Sequence, residues 1–141
     1  MEKTDRPHNS GAVIAYLSLL AFHVAHVLEE IYGGFIVLDM LGLGRFLAVN
    51  WVLFCLPLGF FYFWLIGRRW AHRMSILYAG FMVLNGLGHN AMTLAKGRYF
   101  NGFAGGFSGI GLIISGLFLI FVLCRKDARR PGRPDAVVHR P

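Results

Sequence analysis

Two histidines and two glutamates near the end of the first apolar segment are the residues best suited to do chemistry. They are His23, His26, Glu29 and Glu30, in the stretch LLAFHVAHVLEEIYGG. At about 100° per residue of α-helix, His23, His26 and Glu30 share a narrow face, and Glu29 lies within side-chain reach of His26. Ionisable groups are expensive inside a membrane, so this arrangement predicts partners that offset the cost.

A second polar stripe occurs in the third apolar segment, MSILYAGFMVLNGLGHNAMTLAK. On a helix, Ser75, Tyr78, Asn85 and His89 fall on one side of this segment. Such a stripe should face the interior of a helix bundle, because lipid offers no hydrogen-bond partners. We therefore expect Asn85 and His89 to meet the histidines and glutamates of the first segment in one polar pocket.

The composition indicates a membrane protein. Of the 141 residues, 56% are hydrophobic and 15% are charged, against about 25% charged residues in globular proteins. A membrane span needs about 20 mostly apolar residues. Four runs reach that length, and they cover Gly11 to Tyr32, Phe46 to Ile66, Met74 to Leu94 and Phe103 to Cys124. We predict an all-α membrane four-helix bundle over residues 1–124 and a disordered basic tail over residues 125–141.

The distribution of Lys and Arg predicts that both termini lie in the cytoplasm. The second connection and the tail are rich in arginine, whereas the first connection has only Arg45 and the third only Lys96 and Arg98. The net charge of +7 therefore reflects topology. Nucleic acid is not an expected partner, because the basic residues are not interleaved with aromatic side chains that stack on bases. We expect a multi-pass protein of the cell membrane whose partner is the lipid bilayer.

This orientation places polar residues of three spans at similar depth. With a rise of about 1.5 Å per residue, His26 and Glu30 lie in the outer half of the first span. His89 lies in the outer half of the third span, and Asn50 lies near the outer end of the second. The predicted pocket is therefore in the outer half of the membrane.

Glycines distinguish two other segments. The fourth span has small-xxx-small patterns at Gly102/Gly106 and Gly105/Gly109, which allow close helix packing. The first connection, GGFIVLDMLGLGR, is apolar although it contains several glycines. It is either a partly helical connector in the membrane interface or a lid over the site.

Two motifs give the chain a resemblance to a known family. With HVLEE beginning at His26 and NGLGH ending at His89, the sequence resembles the HXXEE family of bacterial integral membrane proteins. That family is named for the first motif and has an N-x-x-x-H element downstream, and the similarity extends from the first span through the fourth. His23 lies outside the family pattern. The resemblance supports the site and implies no particular reaction.

Metal-assisted chemistry is one function that these residues suit. Imidazoles and carboxylates are ordinary ligands of divalent zinc, iron or manganese, and helical pairs three or four residues apart present both to one ion. The candidate ligands are His23, His26, Glu30 and His89, and Asn85 is placed to orient an imidazole. A metal would also offset the cost of burying a carboxylate.

Acid–base catalysis without a metal is the other enzymatic interpretation. Its candidate catalytic residues are His26, Glu29, Glu30, Asn85 and His89. An apolar setting favours the neutral carboxyl group and a nearby imidazole favours the carboxylate, so such a pair can hold a proton. Either chemistry would suit a lipid-like or amphiphilic substrate that enters sideways from the bilayer.

Three functions without catalysis stay open. Histidines on different spans can ligate haem, a polar path can conduct ions or protons, and a buried hydrogen-bond network can simply fix helix register. The sequence shows no Ser-His-Asp arrangement, phosphate-binding loop or dinucleotide fingerprint. The leading hypothesis is an integral membrane enzyme that acts on an amphiphilic substrate, and the sequence leaves its oligomeric state open.

Overall fold

The computed structural model describes residues 10–98 and 106–128, and this part of the chain is all-helical. Its elements are α1 (Ser10–Tyr32), α2 (Ile36–Leu41), α3 (Leu43–Leu65), α4 (Arg69–Lys96) and α5 (Gly106–Ala128). The prediction of an all-α chain is confirmed over these ranges. The predicted boundary at Cys124 falls inside α5, and residues 129–141 of the predicted tail lie outside the described ranges.

Three helices are long and apolar enough to cross a membrane. They are α1, α3 and the Gly106–Arg125 part of α5. Large apolar side chains cover their outer surfaces, and Ile14, Trp51 and Phe118 are among the exposed ones. Exposed apolar surface on this scale is typical of a protein that contacts lipid. The third predicted span forms α4, which is longer than these helices but more polar.

Helix α1 and helix α4 face each other across the centre of the molecule. Each of them packs against both α3 and α5, and α4 has its most extensive interface with α5. The end of α1 meets the start of α5, where Ser108 contacts Glu29, and the start of α1 meets the end of α3, where Tyr16 contacts Trp64. Side chains from α1 and α4 therefore meet in the interior.

Glycines allow α4 and α5 to approach closely. A Cβ atom on Gly86 would collide with the carbonyl oxygen of Gly109, and one on Gly116 would press on Val83 and the backbone of Ala79. Interfaces between membrane helices commonly use small residues in this way. The predicted small-residue patterns include Gly102 and Gly105, which lie outside the described residues.

The connection between α1 and α3 contains the short helix α2. Helix α1 ends at a turn in which the Phe35 N–H donates to the Glu30 carbonyl oxygen and Gly34 has a φ of 63°. A glycine accepts this left-handed conformation without strain. The turn fixes Glu29 and Glu30 in the last turn of α1, at the end of the bundle where α5 begins. Helix α2 itself has no buried residue.

Candidate metal centre

Three of the predicted site residues form one buried cluster between α1 and α4. His26, Glu30 and His89 are exposed by only 1%, 6% and 5%, and one ligand atom from each lies within 4.8 Å of the others. The Glu30 Oε1 atom is 3.7 Å from His26 Nε2 and 3.5 Å from His89 Nε2. The cluster thus combines two imidazoles with one carboxylate, although His89 is 63 positions after His26 in the chain.

These distances match the spacing of ligands around a metal ion. N–H···O hydrogen bonds in proteins have N···O distances of about 2.7–3.2 Å, so both separations from Glu30 are long for hydrogen bonds. Ligand atoms about 2.1 Å from a tetrahedral metal lie about 3.4 Å from each other. The Glu30 carboxylate oxygen is therefore at about ligand spacing from both imidazoles, and the three residues form a candidate metal site.

A second carboxylate, that of Glu29, is connected to His26 through Ser108. Glu29 Oε2 accepts hydrogen bonds from the Ser108 backbone N–H, at 3.0 Å, and from the Ser108 hydroxyl. The same hydroxyl oxygen lies 2.9 Å from His26 Nδ1. Ser108 is in the first turn of α5, where backbone N–H groups lack helical partners. Glu29 therefore anchors the start of α5 and connects it to His26.

The hydrogen-bond directions in this chain specify the tautomer of His26. The Ser108 hydroxyl has one proton, which it donates to Glu29, so its oxygen accepts from His26 Nδ1–H. With the proton on Nδ1, neutral His26 presents a lone pair at Nε2. Metal-binding histidines are commonly oriented by a hydrogen bond from the other ring nitrogen in this manner.

His26 Nε2 is buried without a hydrogen-bond partner. It is one of two such side-chain atoms in the described part of the chain, and the other is Thr93 Oγ1. Thr93 follows His89 by one turn of α4, so both atoms belong to the same end of the bundle. Buried polar atoms in proteins are almost always paired, and an unpaired one calls for an explanation such as an ion or water.

Comparisons with known proteins gave no assignment. No family model, curated protein or solved structure matches the chain. The resemblance to the HXXEE family therefore stays a prediction that rests on the motifs containing His26 and His89. The function has to be argued from the site itself.

His23 lies on the same face of α1 but binds elsewhere. Its Nδ1 atom is 3.1 Å from the Tyr78 hydroxyl, and its ring packs against Phe54. Within residues 10–98 and 106–128, the group of potential metal ligands consists of His26, Glu30 and His89. The structure thus brings together three of the four predicted metal ligands and pairs the fourth with a tyrosine.

The two asparagines of the predicted pocket lie beside the cluster. Asn85 is half-buried on α4, one turn before His89. Asn50 is half-buried on α3, and its side-chain amide donates to the Phe46 carbonyl oxygen at 3.0 Å. No hydrogen bond joins either asparagine to the cluster among the residues that the structure describes.

Polar residues deeper in the bundle form a network whose hydrogen bonds are satisfied. The Tyr16 hydroxyl donates to the Pro57 carbonyl oxygen at 3.0 Å, and the Ser75 hydroxyl lies 2.8 Å from the Ala71 carbonyl oxygen. Tyr16 and Tyr78 also stack, with ring centroids 6.2 Å apart. This network ties α1 to α3 and α4, as interhelical polar contacts in membrane proteins do.

An aromatic side chain covers the cluster at the end of the bundle. The Phe35 ring lies 5.3 Å from the His89 ring and 6.4 Å from the Phe46 ring, so the start of α2 closes the site. His26 and His89 are in edge contact, with ring centroids 4.4 Å apart. That contact leaves no room for a porphyrin plane between the two rings.

The structure adds Ser108 and Phe35 to the residues that the sequence singled out. Ser108 belongs to the glycine-rich start of the fourth span, a composition that indicates packing, and its bridging role depends on a contact 79 residues away in the chain. Phe35 carries no polar group. The only signal for it was the apolar character of a connection that should otherwise be solvated.

Proposed function

We propose that this chain is a multi-pass membrane protein with a divalent metal centre formed by His26, Glu30 and His89, and that the centre serves an enzyme acting on an amphiphilic substrate. The observation that carries the proposal is that buried His26 Nε2 has no hydrogen-bond partner and lies 3.7 Å from Glu30 Oε1. Two electron-pair donors buried together are stabilised by a cation between them.

We infer that α4 is a fourth span, in addition to the three apolar helices. Its 28 residues give a length of about 42 Å, which exceeds the about 30 Å of the hydrocarbon core. Its polar Ser75 and His89 are buried, whereas Leu77 and Leu84 are exposed. A helix with this distribution fits a lipid environment, because polar groups face the bundle and apolar groups face the acyl chains.

Four antiparallel spans form a bundle with both termini on one side, and the arginine-rich second connection assigns that side to the cytoplasm. The cluster then lies in the outer half of the cell membrane. Its two nitrogens and one oxygen suit zinc, iron or manganese. Three protein ligands leave a coordination position for water or substrate, as in catalytic rather than structural zinc sites.

A divalent metal bound here would polarise a substrate oxygen or activate a water molecule for attack. The side chains supply the rest of the machinery. His26 and His89 would hold the ion as neutral imidazoles, and Glu30 would compensate part of its charge. Glu29 and Ser108 keep His26 in the correct tautomer and orientation. The low exposure of all three ligands excludes bulk water and strengthens the electrostatic interactions of the site.

Metal analysis of the detergent-purified protein tests the proposal. Wild-type protein should contain one zinc, iron or manganese ion per chain, and His26→Ala and His89→Ala should each lose it. The matched control is His72→Ala, since His72 lies near the start of α4, about five turns away from His89. Circular dichroism and size-exclusion profiles verify that the variants fold.

If the alanine variants do not fold, His26→Gln and His89→Gln retain polar side chains of similar size and replace them in the same measurement. Wild-type protein that binds none of the three metals after purification and after dialysis against each ion would contradict the metal centre. Metal content that is unchanged in both folded histidine variants would contradict the assignment of these ligands.

A further inference from the structure

Thr93 carries a buried hydroxyl group near the end of α4. The residue as a whole is half-buried, but its Oγ1 atom is inaccessible to solvent and has no hydrogen-bond partner. Within residues 10–98 and 106–128, the other side-chain atom of this kind is Nε2 of His26. Buried polar atoms are almost always paired, so this hydroxyl calls for a partner as the His26 nitrogen does.

Other polar side chains on these helices use a local acceptor that Thr93 does not. A hydroxyl or amide side chain in a helix can donate to the backbone carbonyl oxygen four residues earlier. The structure has such bonds from Asn50 to Phe46, from Ser75 to Ala71, from Asn90 to Gly86 and from Ser115 to Gly111. The equivalent acceptor for Thr93 is the carbonyl oxygen of His89, to which Oγ1 is not bonded. The Thr93 hydroxyl proton is therefore available to a group in the interior of the bundle.

The helix register places Thr93 on the inner face of α4. At about 100° per residue, Thr93 falls between the directions of His89 and Gly86, about 40° from the first and about 20° from the second. His89 contacts Glu30 at the end of α1, and Gly86 packs closely against α5. Thr93 therefore faces the region where α1, α4 and α5 meet, which is also where the cluster lies.

A ligand of the metal ion can reach Thr93. The residue lies one turn beyond His89, about 6 Å further along the helix axis. A ligand oxygen about 2.1 Å from an ion and about 2.8 Å from a hydroxyl oxygen joins two groups about 5 Å apart. One oxygen atom is thus the right size of bridge between the ion and Thr93.

The charge of the centre favours an anionic oxygen in this position. Within the cluster, two neutral imidazoles and one carboxylate would leave one positive charge of a divalent ion uncompensated. Glu29, the other carboxylate nearby, is half-buried and accepts its hydrogen bonds from Ser108. A buried net charge is costly, so an anion that completes the coordination is stabilised. A hydroxyl donor adds a charge-assisted hydrogen bond to that anion.

We propose that the metal ion and the Thr93 hydroxyl together bind one oxygen of a carboxylate, which makes the amphiphile of this centre a carboxylate-bearing one. The inference rests on the proposed function, because the ion supplies the other contact to that oxygen. Thr93 is three residues before the end of α4 at Lys96. The carboxylate would therefore lie near the end of the bundle, as the polar head group of an amphiphile does in a membrane.

Acetate binding to the cobalt-loaded protein tests the inference. Cobalt(II) belongs to the same series of divalent ions as zinc, and its visible spectrum changes when a new ligand joins it. The full-length protein is purified in detergent, loaded with cobalt and titrated with sodium acetate, and sodium perchlorate controls for ionic strength. We expect a saturable spectral change in wild type with acetate alone. Thr93→Val replaces the hydroxyl by a methyl group and should lower acetate affinity about tenfold, equivalent to about 1.4 kcal/mol.

Two variants distinguish the hydroxyl donor from a packing effect. Thr93→Ser keeps the hydroxyl and should bind acetate with close to wild-type affinity. Ser75→Ala is the matched control, because Ser75 is also a buried hydroxyl on α4 but donates to the Ala71 carbonyl oxygen. Its acetate affinity should equal that of wild type. Circular dichroism verifies folding, and Thr93→Ala replaces Thr93→Val in the same titration if the valine variant does not fold.

The outcomes separate this inference from the metal centre. Cobalt affinity should be similar in wild type and Thr93→Val, since Thr93 is not one of the three candidate ligands. Equal acetate affinities in wild type and a folded Thr93→Val variant would overturn the carboxylate site and leave the metal centre standing. Cobalt-loaded wild type whose spectrum does not respond to acetate would do the same. Wild-type protein that binds no metal would contradict both.

Discussion

Replacement of Ser108 by alanine separates a positioned metal ligand from a simple packing contact. The serine hydroxyl joins Glu29 on one side to His26 Nδ1 on the other, and it does not belong to the group of metal ligands. Ser108→Ala removes this oxygen and leaves the three ligands unchanged. His26 Nδ1 then loses its acceptor, and the proton is free to move to Nε2, where it would block the metal.

The size of the effect follows from the contacts that are lost. Removing a hydrogen-bonded partner of a metal-binding histidine typically lowers metal affinity about 10- to 100-fold, which corresponds to about 1.4–2.7 kcal/mol. The orphaned Nδ1 atom is buried, so the free energy of unfolding of the metal-free protein should also fall, by about 1–3 kcal/mol. The Ser108 backbone N–H still binds Glu29, so the start of α5 should remain in place.

Competition with a coloured zinc chelator measures the affinity, and denaturant titration in detergent measures the stability. The matched control is Ser115→Ala, because Ser115 is also buried on α5 but donates only to the Gly111 carbonyl oxygen of its own helix. Zinc affinity should be unchanged in the control. Equal affinities in wild type and a folded Ser108→Ala variant would refute the argument that Ser108 sets the tautomer of His26.

Four further predictions address packing, the deep network, the cover of the site and metal linkage. Gly86→Ala should destabilise the protein because its Cβ collides with α5, whereas Gly80→Ala, which has open space around it, should be neutral or slightly stabilising by helix propensity; thermal unfolding compares the two. Tyr16→Phe should cost about 1 kcal/mol of unfolding free energy for the lost hydrogen bond without changing zinc affinity in the chelator assay. Phe35→Ala should release zinc faster to an excess of chelator in stopped-flow measurements, because the ring that covers His89 is gone. Zinc at 100 times its Kd should raise the unfolding free energy of wild type by about 2.7 kcal/mol and leave His89→Ala unchanged.

Most of the helices could be predicted from apolar length alone. The predicted runs agree with α1, α3 and α5 to within a few residues. Unpaired backbone N–H and C=O groups are costly in lipid, so a long apolar run in a membrane is expected to be helical. The short helix α2 was less accessible, since its six residues are too few for a periodic pattern. Its position depends on the Gly34 turn and on contacts with α3, which are tertiary features.

The sequence predicted those features of the site that follow from which residues share a helix face. The four-residue spacing of His26 and Glu30 puts both on one face of α1, and the polar stripe around His89 required an interior partner. The sequence did not reveal that Glu29 would turn away to Ser108, because this depends on where α5 begins relative to α1. It also did not separate His23 from the cluster, since the Tyr78 hydroxyl that binds it lies on another helix.

The two polar networks of the bundle differ in a way that argues against a purely structural role for the cluster. A network that only fixes helix register has to pair its buried atoms, and the deep one does so through the carbonyl oxygens of Pro57 and Ala71. The Tyr16 and Ser75 hydroxyls donate to these backbone acceptors, and the Tyr78 hydroxyl is paired with His23 Nδ1. The cluster near the other end keeps a buried, unpaired lone pair on His26 although Ser108 orients that ring on its other side. An oriented but unpaired lone pair costs stability unless something binds to it, and a bound cation is the partner that the surrounding donors favour.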